Sequence, residues 1–187
     1  MSLAVFMALS CHDADKNVIA VAHKRDFKIF INKKDYTLKL FSDTTLLKTY
    51  KCSFGRNPKG AKEIEGDNKT PVGKFYISSK KVKSRFHRFL GLSYPTNADA
   101  IRGLKQHLIT TEEYEAIITA IRNKQQPPQE TKLGGYIGIH GNGRWDFILS
   151  LLPWHVDWTQ GCIALSNQDI EELFNLVNVG TQVEIIE

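Results

Sequence analysis

Four short β-rich segments occupy the first part of the chain: Val18 to His23, Phe27 to Asn32, Tyr36 to Phe41 and Thr45 to Cys52. The turns between them are Lys24-Arg25-Asp26, Lys33-Lys34-Asp35 and Ser42-Asp43. Apolar runs of strand length broken by polar turn residues predict a meander of neighbouring strands. Phe75-Tyr76-Ile77 and Thr181 to Ile186 add strands further on. Two helices interrupt this pattern. Thr110-Thr111-Glu112-Glu113 supplies hydroxyl caps and early acids for a helix with Tyr114, Ile117, Ile118 and Ile121 on one face, ending before Gln125-Gln126-Pro127-Pro128. Ser166-Asn167-Gln168-Asp169 caps a second, whose stripe is Ile170, Leu173, Phe174 and Val177. The class is α+β, mainly β, with peripheral helices. At 187 residues and 42% hydrophobic content the chain can bury one substantial core, so one domain is expected.

Chemistry concentrates near the C-terminus. Gly134 to Ile139 reads as a short strand that delivers His140 at its end, and Ile163-Ala164-Leu165 reads as a strand that begins just after Cys162. An unperturbed thiol is only a few per cent thiolate at neutral pH, and a nearby imidazole would make it a working nucleophile. Gly141 and Gly161 beside them permit tight turns and close approach of a substrate carbonyl. The alternative is a buried, inert cysteine. His155, seven positions before Cys162, is a rival base in a loop after Pro153-Trp154. A metal site built from His140, His155 and Cys162 lacks compact ligand spacing, so neither metal nor cofactor is expected.

Three blocks carry a resemblance to the L,D-transpeptidase catalytic domain, the YkuD-type family of bacterial cell-wall enzymes. They are Gly66-Asp67-Asn68-Lys69-Thr70-Pro71-Val72-Gly73 leading into a strand, Ile139-His140-Gly141, and Thr159-Gln160-Gly161-Cys162-Ile163. The resemblance covers roughly residues 17 to 187 and implies a β-sandwich or mixed sheet with peripheral helices. It also implies Cys162 as nucleophile and His140 as base, with oxyanion support around Gly161 and Thr159. Gly141, Gln160, Trp158 and Tyr94 are the expected substrate contacts. Two positions depart from the family pattern: Gln160 where a histidine is usual, and Ala164 where arginine or asparagine is common. The Asp157-Trp158-Thr159-Gln160-Gly161-Cys162 form, with Leu92-Ser93-Tyr94-Pro95 upstream, is similar to the branch that includes murein hydrolases.

The expected activity is therefore cleavage of an L,D peptide bond in a peptidoglycan stem through a thioacyl-enzyme, with hydrolysis favoured over crosslinking. The departures at Gln160 and Ala164 also suit a catalytically silent wall-binding module, against which the retention of His140 and Cys162 argues. Residues 1–16 read either as the remnant of an export signal or as a short apolar helix or strand, and residues 17–187 as the catalytic domain. The resemblance implies a periplasmic or envelope location. No run is long enough to span a membrane.

The net charge of +5 peaks at Lys80, Lys81, Lys83, Arg85, His87 and Arg88, read as a solvated face in preference to cations that meet carboxylates of the peptide stem. No nucleic-acid motif accompanies it, so no nucleic-acid partner is expected. Cys11, Cys52 and Cys162 are an odd count, which leaves at least one thiol free, and Cys52 reads as a packed strand residue. The apolar connection 142–156 is either a lid or substrate wall or a small helix packed on the core, with Trp145, Trp154 and Trp158 as candidate cleft walls. Oligomeric state is not legible.

Overall fold

The computed structural model describes residues 26–152 and 156–187. The expected strand at Val18 to His23, the 1–16 segment, Cys11, Trp154 and His155 lie outside the described residues. Eight strands form one sheet: β1 (Phe27–Asn32), β2 (Thr37–Ser42), β3 (Thr45–Lys51), β4 (Gly73–Ser84), β5 (His87–Leu92), β6 (Gly138–Gly141), β7 (Ile163–Leu165) and β8 (Gln182–Ile186). Among the described residues four helices accompany them: α1 (Asn97–Lys105), α2 (Thr111–Arg122), α3 (Asp146–Leu151) and α4 (Asn167–Leu176). The architecture is mixed α+β and mainly β, as the sequence predicts.

The strand order is β3-β2-β1-β8-β4-β5-β6-β7. The first three strands form the expected antiparallel meander, in which Ile29 and Ile31 on β1 pair with Leu40 and Leu38 on β2. These alternate side chains are all buried, each contributing about 1.5–3 kcal/mol by leaving water. β8 then inserts between β1, with which it runs parallel, and β4, with which it runs antiparallel. Strand β4 serves two partners, β8 along Gly73–Tyr76 and β5 from Ile77 onward, with register shifts where the pairing changes.

The chain just beyond β3 reaches the far end of the sheet. Ser53 exchanges both backbone hydrogen bonds with Ala164 of β7, each 2.9 Å. Gly55 bridges Thr159, and Phe54 O accepts from Thr159 N–H at 3.1 Å. The sheet thus closes on itself at the segment that carries Cys162.

Helix α4 covers this closure with Ile170, Leu173, Phe174 and Val177, all in the main core cluster. Its first turn is capped by the Ser166 side chain, which accepts from Asp169 N–H. Helix α2 packs Ile117 and its expected apolar neighbours against α1 and Leu133 in a second, smaller cluster. Capping boxes start both α1 (Thr96 and Asp99) and α2 (Thr110 and Glu113).

The basic run is a solvated face in part only. Lys81, Lys83, Arg85 and His87 are exposed. Lys80, in contrast, donates to the Phe174 and Val177 carbonyls at the C-terminal end of α4, where a cation complements the helix dipole. Arg88 forms a two-pronged pair with Glu171 of the same helix at 2.7 Å on each arm.

Candidate active site

The segments on either side of the closure hold the chemistry. β6 and β7 run parallel, with His140 opposite Ala164 and Ile139 opposite Ile163. In this register His140, near the end of β6, stands two residues along from Cys162, which lies one residue before β7. Both line one cleft of about 1300 Å³.

His140 is 1% exposed and enclosed by aromatic rings. Phe86 stacks on the imidazole with centroids 4.3 Å apart, Trp158 meets it edge-on at 5.7 Å, and its cross-strand neighbour Phe89 lies at 6.3 Å. Its Nδ1 lies 2.7 Å from the Gly141 carbonyl. A carbonyl only accepts, so Nδ1 carries the proton and Nε2 keeps the lone pair. Burial holds the imidazole down at about 4, which outweighs the opposing Gly141 carbonyl, and the Arg85 charge lowers it further. It is neutral at pH 7.

Cys162 donates to the Tyr136 carbonyl at 3.4 Å. Desolvation pushes its thiol up to about 11, although the Gly138 amide and the charges of Lys62 and Arg85 pull the other way. A histidine-stabilised thiolate is therefore not the resting state. Two groups withdrawn from water each favour the uncharged form, and the pair rests as thiol and neutral imidazole. Cys52 is buried, and its thiol is pushed well above the ordinary range, which fits a packed residue.

The turn that presents Cys162 is braced by Thr159, whose hydroxyl donates to the Cys162 carbonyl at 2.7 Å and accepts the Gly161 N–H at 3.1 Å. Gly161 has φ +131°, and a Cβ there would lie 2.7 Å from the Lys69 carbonyl. Gly161→Ala is expected to lower unfolding free energy by on the order of 2 kcal/mol or more, read by thermal or denaturant unfolding. The first sequence block joins here. The buried Thr70 hydroxyl accepts the Gly55 N–H at 3.1 Å, and Gly55 in turn leaves no room for a side chain beside the Asn68 carbonyl.

Trp158, Thr159 and Gln160 line the cleft with Cys162 and His140. Two expected substrate contacts do not. Gly141 is buried, and an added Cβ would meet Asn167 Oδ1 at 2.6 Å and the Phe86 carbonyl at 2.8 Å. Its requirement is close packing, and its carbonyl orients His140. Tyr94 is 0% exposed, with its hydroxyl donating to the Leu133 carbonyl at 2.9 Å. It belongs to the core because the aromatic ring follows buried β5 inward. Tyr94→Phe is expected to cost about 1 kcal/mol of stability through the lost hydrogen bond while leaving KM unchanged, checked by melting curves and steady-state kinetics.

The strand before His140 is shorter than expected. It starts at Gly138, since Gly134 (φ +79°) and Tyr136 (φ +56°) adopt left-handed conformations that no strand accommodates. The 142–156 connection forms a short 3₁₀ turn and α3. The turn's Trp145 and Arg144 line the cleft. α3 is not packed on the core, for Phe147 is 73% and Leu151 65% exposed. Phe86 and Lys62 are cleft residues that sequence reading missed, and Arg85, read there as part of a solvated basic run, lines the cleft as well. Lys62 is a buried cation held by Asp67 at 2.9 Å and the Ile64 carbonyl at 2.8 Å. Among the described residues no cluster of His, Cys, Asp or Glu could hold a metal ion, and no helix is long and apolar enough to cross a membrane.

The sequence pattern of the L,D-transpeptidase catalytic domain, YkuD, matches residues 26–185. The chain belongs to this family. Among solved structures, the fold is similar to the helical cell shape determining protein Pgp2 from Campylobacter jejuni, at 24% identity and a TM-score of 0.57. That match covers 87% of this chain and 48% of Pgp2. Bdellovibrio bacteriovorus Bd1075 is similar at 16% identity and a TM-score of 0.53, covering 87% of this chain and 48% of its own. The chain thus spans about half the length of the structures it resembles. A comparison with curated proteins finds no match.

Proposed function

We propose that this L,D-transpeptidase family domain cleaves an L,D peptide bond of a peptidoglycan stem peptide by hydrolysis through a Cys162 thioacyl-enzyme. The observation that carries this reading is the convergence of Cys162 and His140 in one cleft, with Nδ1 tied to Gly141 so that Nε2 can take a proton. As Sγ bonds to the scissile carbonyl carbon, the thiol proton passes to Nε2. Collapse of the tetrahedral adduct breaks the C–N bond, and His140 returns the proton to the leaving amine. Water then attacks the thioester, giving one proton to His140, which passes it to the departing sulfur.

The oxyanion donors are assigned on the same geometry. Gly161 N–H already points at Thr159 Oγ1. The amides of Gln160 and Cys162 are therefore the better candidates, and Thr159 acts by bracing the turn. The Trp158 indole N–H is buried without an acceptor among the described residues and suits a substrate carbonyl. Position 164, a cation or amide in much of the family, is here a buried alanine paired to Ser53, and Gln160 is exposed at the rim. These features, with the 142–145 turn in the cleft wall, support water over a bulky acceptor amine. Acting on peptidoglycan, the enzyme would work in the periplasm or envelope.

The test is mass spectrometry of a defined disaccharide-tetrapeptide incubated with enzyme, with and without excess acceptor amine. Release of the terminal residue without dimer is the expected result. Accumulating crosslinked dimer, or no reaction, overturns the proposal.

A further inference from the structure

Arg85 occupies the tip of the β4–β5 hairpin, between Ser84 and His87. Its guanidinium lies over the Phe86 ring at 4.6 Å, and Phe86 stacks on His140 at 4.3 Å. One aromatic ring thus separates the cation from the imidazole. The hairpin is pinned from behind, because Gly141 N–H donates to the Phe86 carbonyl at 3.0 Å and the Arg85 carbonyl leaves no room for a side chain on Gly143.

The cleft is lined by Arg56, Lys62, Lys81, Arg85 and Arg144 against one carboxylate, Glu65, among the described residues. Of the other cleft cations two are committed, and the remaining two, Lys81 and Arg144, lie over the Phe89 and Trp145 rings at 5.8 and 5.0 Å. Lys62 is held by Asp67, and Arg56 Nε donates to the Trp158 carbonyl at 3.2 Å. Arg88, three residues beyond Arg85, is fully engaged with Glu171. Arg85 has no hydrogen-bonding or ion-pair partner among the described residues, so its donor fork is available. A guanidinium held over an aromatic ring has less freedom to lose on pairing and matches a carboxylate with two parallel bonds.

We propose that Arg85 is a specificity-determining residue that binds the free C-terminal carboxylate of the stem peptide, one residue beyond the scissile bond. The inference rests on the proposed hydrolysis at this cleft and names its substrate: a stem whose terminal residue is removed, rather than an internal crosslink. One residue spans about 3.5 Å and a charge-assisted hydrogen bond about 2.8 Å, so such a cation must stand within a few bond lengths of the reacting groups. The charge of Arg85 reaches both His140 and Cys162.

Three tetrapeptide stems separate the sources of carboxylate: the free acid, the C-terminal amide, and the acid amidated on the diaminopimelate side chain. The wild type is expected to lose roughly 10- to 100-fold in kcat/KM on C-terminal amidation. Arg85→Gln should lose a similar factor on the free acid and nothing further on the amide. Loss confined to the side-chain amide, or a variant equal to wild type, overturns the assignment. Labelling of Cys162, read by peptide mapping, tests Arg85 even if no stem is turned over. The ratio of iodoacetate to iodoacetamide rates should fall several-fold in Arg85→Gln, and an unchanged ratio overturns the proposal whatever becomes of the hydrolytic reading.

Discussion

Cys162→Ala is expected to abolish turnover, by on the order of 10³-fold or more, while the domain unfolds within about 1 kcal/mol of wild type. The sulfur makes a long bond to the Tyr136 carbonyl and is approached by the Gly138 amide, and the turn that carries it is braced by Thr159 through backbone groups that alanine retains. Cys162→Ser should be nearly as inactive, since a hydroxyl is a far weaker nucleophile beside an imidazole that rests neutral. Peptide release assayed beside a circular-dichroism melt distinguishes lost chemistry from lost fold. Full activity in either variant would sink the mechanism.

The second large effect belongs to His140. His140→Ala should slow peptide release by roughly 10²- to 10⁴-fold at neutral pH, the usual worth of a positioned base. Alkylation of Cys162 should fall as well, with the gap closing as pH rises towards the thiol value of about 11 and the sulfur ionises unaided. In the wild type, activity should decline as pH falls through about 4, where Nε2 becomes protonated. Stability gives an independent readout. The folded-state value is depressed from 6.5, so between 6.5 and about 4 the unfolded chain binds a proton that the folded chain does not. The contribution of His140 is present above 6.5 and is lost as pH falls through that window. His140→Gln should remove this component, so wild type and variant melting curves should converge or cross on going from pH 7.5 to 4.5.

Local patterning made much of the fold legible. The alternation in 27–32 matches β1 to the residue, and the Ile170, Leu173, Phe174, Val177 stripe lies on the core as expected. Helix α1 was not legible because its packing face is made of Ala100 and Gly103, small residues that allow Leu133 to approach and leave no apolar stripe in the sequence. Strand β5 was hidden in the basic run, since Arg88 spends its charge on α4 rather than on solvent. In the site, local motifs pointed to Cys162 and His140, and strand pairing brings them to one cleft. Phe86 and Arg85 lie more than fifty positions upstream of His140, Phe86 in no motif and Arg85 in a run read as solvated, and the β5–β6 pairing carries both to the cleft. Tyr94 was expected among the substrate contacts from the resemblance alone, whereas its ring fills the core.

The place of β8 has a consequence for how the protein is made. Of the described strands, the last in sequence is the fourth in the sheet, where it stands between β1 and β4. Pairings so distant in sequence form slowly, because the ordering of the intervening chain precedes the contacts that offset it. While the ribosome is still translating, the early meander has an unpaired apolar edge and awaits its neighbour. A nascent chain arrested before Gln182 would hold both Cys162 and His140, yet lack the strand that joins β1 to β4.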